Sequence, residues 1–116
     1  MGHYDPFLGD AVRGPAGQAF AEASLDVIDR LDGVLRAAYG QAGIRMADIA
    51  EAFQLHDTSP LDVPGLGTVP TNVARVCALT WMCVAPPFGP NSHPNDKGYR
   101  MESNAIADAL SLVTSR

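Results

Sequence analysis

From Gly17 to about Tyr39 the apolar residues recur at helical spacing. Ala21, Leu25, Ile28, Leu31, Leu35 and Tyr39 form one stripe, and Glu22, Asp26, Asp29, Arg30 and Arg36 fall largely off it. Pro15 suits a first helical turn, and Gly40 and Gly43 suit the end. The spacing therefore predicts a long amphipathic helix. Residues 1–14 before it read as irregular, punctuated by Pro6, Gly9 and Gly14.

After the glycine turn, Ile44-Arg45-Met46-Ala47-Asp48-Ile49 reads as a short strand, with a helical turn over Ala50 to Phe53. Helix followed by strand predicts a parallel α/β layer. Leu55 to Pro70 reads as loop, broken by Pro60, Pro64, Gly65 and Gly67. Thr71 reads as the N-cap of a second helix, Asn72 to about Thr80, burying Val73, Val76 and Leu79. A proline-rich loop spans 85–98. Asn95 or Asp96 then caps a last helix from Lys97 to about Val113, with the stripe Tyr99, Met101, Ile106, Ala109, Leu110 and Val113. One parallel strand alone leaves its ladder groups unpaired, so its neighbours are expected in sequence outside this chain.

The 116 residues allow one domain. A hydrophobic share of 47% against 18% charged is globular rather than disordered. The net charge of −5, with scattered basic residues, disfavours nucleic acid and anionic membrane. No stretch approaches the roughly 20 apolar residues of a membrane span, and the start lacks the pattern of a signal peptide. Cys77 and Cys83 are too few for a closed zinc site and too far apart for a redox Cys-x-x-Cys. A local disulfide and two buried thiols both remain open. His3 and His56 lack ligand spacing, so no metal site is expected. Gly65-Leu66-Gly67 is a turn, without the Lys and Ser/Thr of a phosphate loop.

The segment richest in chemistry is Asn91-Ser92-His93-Pro94-Asn95-Asp96-Lys97-Gly98-Tyr99. A histidine in a loop before a terminal helix can serve as general base near neutral pH. This block resembles the last block of SGNH (GDSL-type) hydrolases. Thr80-Trp81-Met82-Cys83 through Pro86-Pro87-Phe88-Gly89-Pro90-Asn91 is similar to actinobacterial members, as are His3-Tyr4-Asp5-Pro6-Phe7-Leu8 and Ala47-Asp48-Ile49. The resemblance implies that residues 1–116 are one partial domain. That domain is the C-terminal part of a three-layer α/β/α sandwich (flavodoxin-like), mostly helical here with about one parallel strand.

The resemblance further implies an esterase or lipase that cleaves carboxylic esters by serine attack, without cofactor. His93 matches the family's general base. The family's orienting aspartate falls at Pro90, whose main-chain carbonyl is then the expected acceptor for imidazole. Asp96 reads first as a helix cap. Tyr4, Phe7 and Phe88, with Trp81, are candidates for an acyl pocket, the alternative being ordinary core. A secreted relative implies a disulfide between Cys77 and Cys83.

The nucleophile block is missing. Gly9-Asp10-Ala11-Val12 has no hydroxyl at the serine position, and none of the six serines sits in a nucleophile elbow. Met1 is thus expected to correspond to an internal position of a longer ancestor, and the chain to be inactive alone. Its expected partners are an ester substrate in the complete domain, and an N-terminal half or a second copy. The alternative is a non-catalytic binding or assembly module derived from that fold.

Overall fold

A computed structural model describes residues 1–114, with side chains through Ser111. Helix α1 runs from Gly14 to Gln41, with Pro15 in its first turn. It ends where Ile44 N–H reaches the Tyr39 carbonyl at 2.8 Å and Gly43 takes φ 67°. That left-handed backbone favours glycine. At about 1.5 Å per residue the helix is about 42 Å long, close to the molecule's longest dimension of 46 Å. The expected stripe is only partly covered. Ala21 is buried, and Leu25, Ile28, Leu35 and Tyr39 are half-buried, while Leu31 is exposed.

Residues 6–13 are ordered, in contrast to the irregular segment expected. Pro6–Arg13 forms a 3-10 helix laid along α1. Asp5 starts it: Oδ1 accepts the Phe7 N–H at 3.0 Å and the Ser24 hydroxyl at 2.8 Å. Asp5 is fully buried, and its Oδ2 has no hydrogen-bond partner among the described residues. Burial pushes the carboxyl above its ordinary value, against the lowering effect of the Ser24 and Phe7 hydrogen bonds, while Asp10 and Asp29 raise it further.

The folded protein therefore holds this proton to higher pH than the unfolded chain. Stability linked to Asp5 is full below the ordinary carboxylate pKa and falls as pH rises through the raised folded value. An amide at this position keeps an oxygen for Phe7 and Ser24. Asp5→Asn is thus expected to flatten that decline, measured by urea melts from about pH 4 to 7. An unchanged slope would place the titrating group elsewhere.

The strand expected over 44–49 is absent. Residues 44–48 take no regular structure, and Ile49–Ala52 is a helical turn, α2. Asp48 decides this locally, because its carboxylate accepts the Glu51 N–H at 3.1 Å and caps the turn. There is no parallel pairing among the described residues. The sheets are two small antiparallel pairs instead. β1 (Pro60–Val63) pairs with β2 (Gly67–Pro70) inside the expected loop, turning through Gly65 (φ 84°) and Gly67 (φ 79°). β3 (Thr80–Trp81) pairs with β4 (Asn91–Pro94). The described residues are mixed α/β and mostly helical, with strands paired only antiparallel.

Helix α3 (Thr71–Leu79) follows β2 directly. Thr71 is its first residue rather than its cap, and the Thr71 hydroxyl donates to the Ser59 carbonyl at 2.8 Å. Helix α4 (Asp96–Thr114) is capped by Asn95, whose Oδ1 accepts from Lys97 and Gly98 N–H. The core gathers Leu8, Ala21, Ile49, Phe53, Leu55, Val76 and Leu79 between α1, α2 and α3. Much of the α4 stripe stays in solvent: Tyr99, Ile106 and Leu110 are exposed. The side chain of Val113 lies outside the described residues.

Candidate functional site

Three attachments hold the segment that carries His93. The first is the β3–β4 pair, which sets Asn91 opposite Trp81 and Pro94 opposite Thr80, with an irregularity between. Thr80 is buried; its hydroxyl donates to the Val76 carbonyl at 2.8 Å and accepts the Met82 N–H at 3.1 Å. That fixes β3 to the end of α3.

The second attachment is Asn95. Its main-chain N–H donates to the Leu79 carbonyl and its Nδ2 to the Ala78 carbonyl, both at 2.9 Å, while Oδ1 caps α4. One residue, by its main chain and side chain together, thus joins the last carbonyls of α3 to the first N–H groups of α4. Gly98 completes the junction, since a Cβ there would collide with the Leu79 carbonyl. The third attachment is Tyr4. Its ring stacks on Phe53 at 4.7 Å between centroids, and its hydroxyl donates to the Ser92 carbonyl at 2.7 Å. Burial, with Glu102 and Tyr99 adding to it, pushes the Tyr4 phenol up to about 12. It therefore stays protonated, able to donate, far beyond neutral pH.

His93 itself is exposed. Its N–H donates to Asn91 Oδ1 at 2.9 Å, and its Nδ1 lies 2.7 Å from that same oxygen. Among the described residues, the hydrogen bond at Nδ1 goes to Asn91 and not to the Pro90 carbonyl. Asp96 sits in the first turn of α4. The imidazole Nε2 makes no hydrogen bond among the described residues and opens to solvent. The ring is therefore held on one side and free on the other, the arrangement a general base needs.

The other candidates are dispersed. Tyr4 reaches the histidine loop, but Phe7 packs edge-on against Phe20 at 5.6 Å on α1. Phe88 is 76% exposed and Trp81 43%. An apolar cavity of about 310 Å³ lies elsewhere, between α1, the β1–β2 hairpin and α3, lined by Leu8, Leu25, Val69 and Val73 among others.

Cys77 and Cys83 form a disulfide, joining α3 to the turn after β3. His56 Nε2 lies 2.7 Å from Asp29 Oδ1, and His3 Nδ1 lies 3.4 Å from Asp32 Oδ1. Among the described residues no His, Cys, Asp and Glu cluster could hold a metal ion, and no helix is long and apolar enough to cross a membrane.

Sequence reading missed Asn91. The signal was present as Asn-x-His, since an asparagine commonly accepts the N–H two residues on. Asp32, buried on α1, was also missed, whereas Asp5, read as a solvated or capping loop carboxylate, is a buried cap. Comparison with protein-family models, curated proteins and solved structures finds no match to this chain.

Proposed function

We propose that the chain is the histidine-bearing C-terminal segment of an SGNH-type serine ester hydrolase, an esterase or lipase, with His93 as general base. The observation behind this reading is the state of His93: exposed, pinned at Nδ1 by Asn91, with Nε2 free. In the complete domain a serine hydroxyl attacks the acyl carbon of a carboxylic ester. His93 takes the proton and returns it to the leaving alkoxide. Asn95 and Gly98 have structural work in this reading, locking the His-Pro-Asn block to α3. Tyr4 braces the loop, and Phe88 is free to meet an acyl group. The disulfide fits a secreted protein, because such bridges persist in oxidising compartments.

The exposed apolar surface also supports a partial domain. Phe20, Val27, Leu31 and Val34 lie open along α1, and Tyr99, Ile106 and Leu110 along α4. Two long helices with uncovered apolar faces suit a sandwich whose other layers come from a serine-bearing half. The same surface favours the second reading, a non-catalytic assembly module that dimerises. A strictly monomeric, well-folded chain in sedimentation would count against that second reading.

The test of the first reading is p-nitrophenyl butyrate hydrolysis. The chain alone is expected to show no turnover above a His93→Ala control, because no serine here has a nucleophile's setting. Co-expression with a segment carrying a Gly-Asp-Ser block is expected to bring turnover that His93→Ala abolishes. Hydrolysis by the isolated chain that depends on His93 would sink the reading.

A further inference from the structure

We infer that Asn91 is a positioning residue that sets His93 in its Nδ1–H tautomer, leaving the Nε2 lone pair as the proton acceptor. The consequence for catalysis rests on the reading of His93 as general base; the tautomer itself rests on geometry alone.

A side-chain amide ends in an oxygen and a nitrogen of similar shape, and main-chain chemistry distinguishes them here. The His93 N–H can only donate, and it meets the Asn91 amide at 2.9 Å. The atom it meets must therefore be the oxygen, since an NH2 group there would set donor against donor. The same oxygen lies 2.7 Å from His93 Nδ1. An amide oxygen accepts and cannot donate, so Nδ1 carries the hydrogen. In a neutral ring that leaves Nε2 unprotonated. A free imidazole side chain in water favours the opposite form, with hydrogen on Nε2, so the assignment is not the default.

The amide is held in place. Turning it over would forfeit the main-chain bond as well as the imidazole bond. The backbone on either side is fixed too, by the pairing of Asn91 with Trp81 and by the Tyr4 hydroxyl on the Ser92 carbonyl at 2.7 Å. A carboxylate in this role would orient the ring and also stabilise the imidazolium. Asn91 orients without charge. Tautomer is the property that matters first, because a serine proton can be taken only by an unprotonated Nε2 facing it.

The test is long-range proton–nitrogen NMR of the full chain, ¹⁵N-labelled, at a pH well above the ordinary imidazole range. Disappearance of one ring's signals in His93→Ala assigns them. His56 serves as internal contrast, because its Nε2 faces the Asp29 carboxylate and must carry hydrogen. The wild-type His93 ring is expected to show a protonated-type Nδ1 and an unprotonated-type Nε2. Asn91→Ala is expected to lose this signature and move toward the Nε2–H form. Asn91→Asp, which keeps an acceptor oxygen for both donors, is expected to retain it and covers the case in which the alanine variant fails to fold. An Nε2–H ring in the wild type, or the same tautomer in a folded Asn91→Ala, would overturn the assignment. No ester turnover enters this measurement, so its outcome and that of the esterase reading are separately visible.

Discussion

Phe53→Ala is expected to cost about 3–5 kcal/mol of folding stability, the range for truncating a fully buried aromatic. Phe53 has no exposed surface and belongs to the cluster that joins α1, α2 and α3. It also carries the Tyr4 ring. Truncation leaves a cavity beneath α2 and removes the platform that brings the Tyr4 hydroxyl to Ser92. A domain of this size has on the order of 6–17 kcal/mol to lose. The urea midpoint should therefore fall by about 2–3 M without a change in m. Phe88→Ala is the matched control. Its ring is 76% exposed, and the change should stay within about 0.5 kcal/mol. A loss below about 1.5 kcal/mol at Phe53, or equal losses at both positions, would mean that the core is not where Phe53 lies. Phe53→Leu is the fallback should the alanine variant not fold.

The contrast between those two phenylalanines shows where sequence reading ran out. Periodicity revealed α1, α3 and α4, because amphipathic helices repeat their apolar positions every three or four residues. It could not tell which face of a helix finds a partner. On the α4 stripe Met101 packs against the core, while Tyr99, Ile106 and Leu110 are exposed. In the short elements, one polar contact outweighed propensity. Ile44 to Ile49 has branched residues suited to a strand, yet Asp48 capping the Glu51 N–H turned its end into α2. The β1–β2 hairpin was hidden by its prolines. Pro60 and Pro70 pair with each other at the open end of the ladder, where a missing N–H is tolerated.

At the site, His93 was legible because a histidine in a proline-rich loop before a helix is a local pattern. Its neighbours in space were not. Tyr4 lies 88 positions away from Ser92 in sequence, and nothing local announces that contact. Asn91 was local too, but Asn-x-His announces only the turn at the N–H; that the imidazole meets the same oxygen depends on its rotamer.

Removing the disulfide should have the second-largest effect, and its position ties stability to the site. In the chain-entropy view, opening a loop this short costs roughly 2–2.5 kcal/mol. For a domain near this size that corresponds to a melting temperature lower by about 8–10 °C. The bridge joins α3 to the turn after β3, so the constraint it adds lies where β3 meets α3. That junction receives Asn95 and Gly98 and pairs with β4. Cys77→Ala with Cys83→Ala should therefore do more than lower the midpoint. Amide hydrogen exchange should rise first in β3 and β4, the strands next to the bridge. Equal exchange gains across the chain would show that the bridge constrains the unfolded state alone. No change in melting temperature would show that the two thiols are not joined in the folded protein.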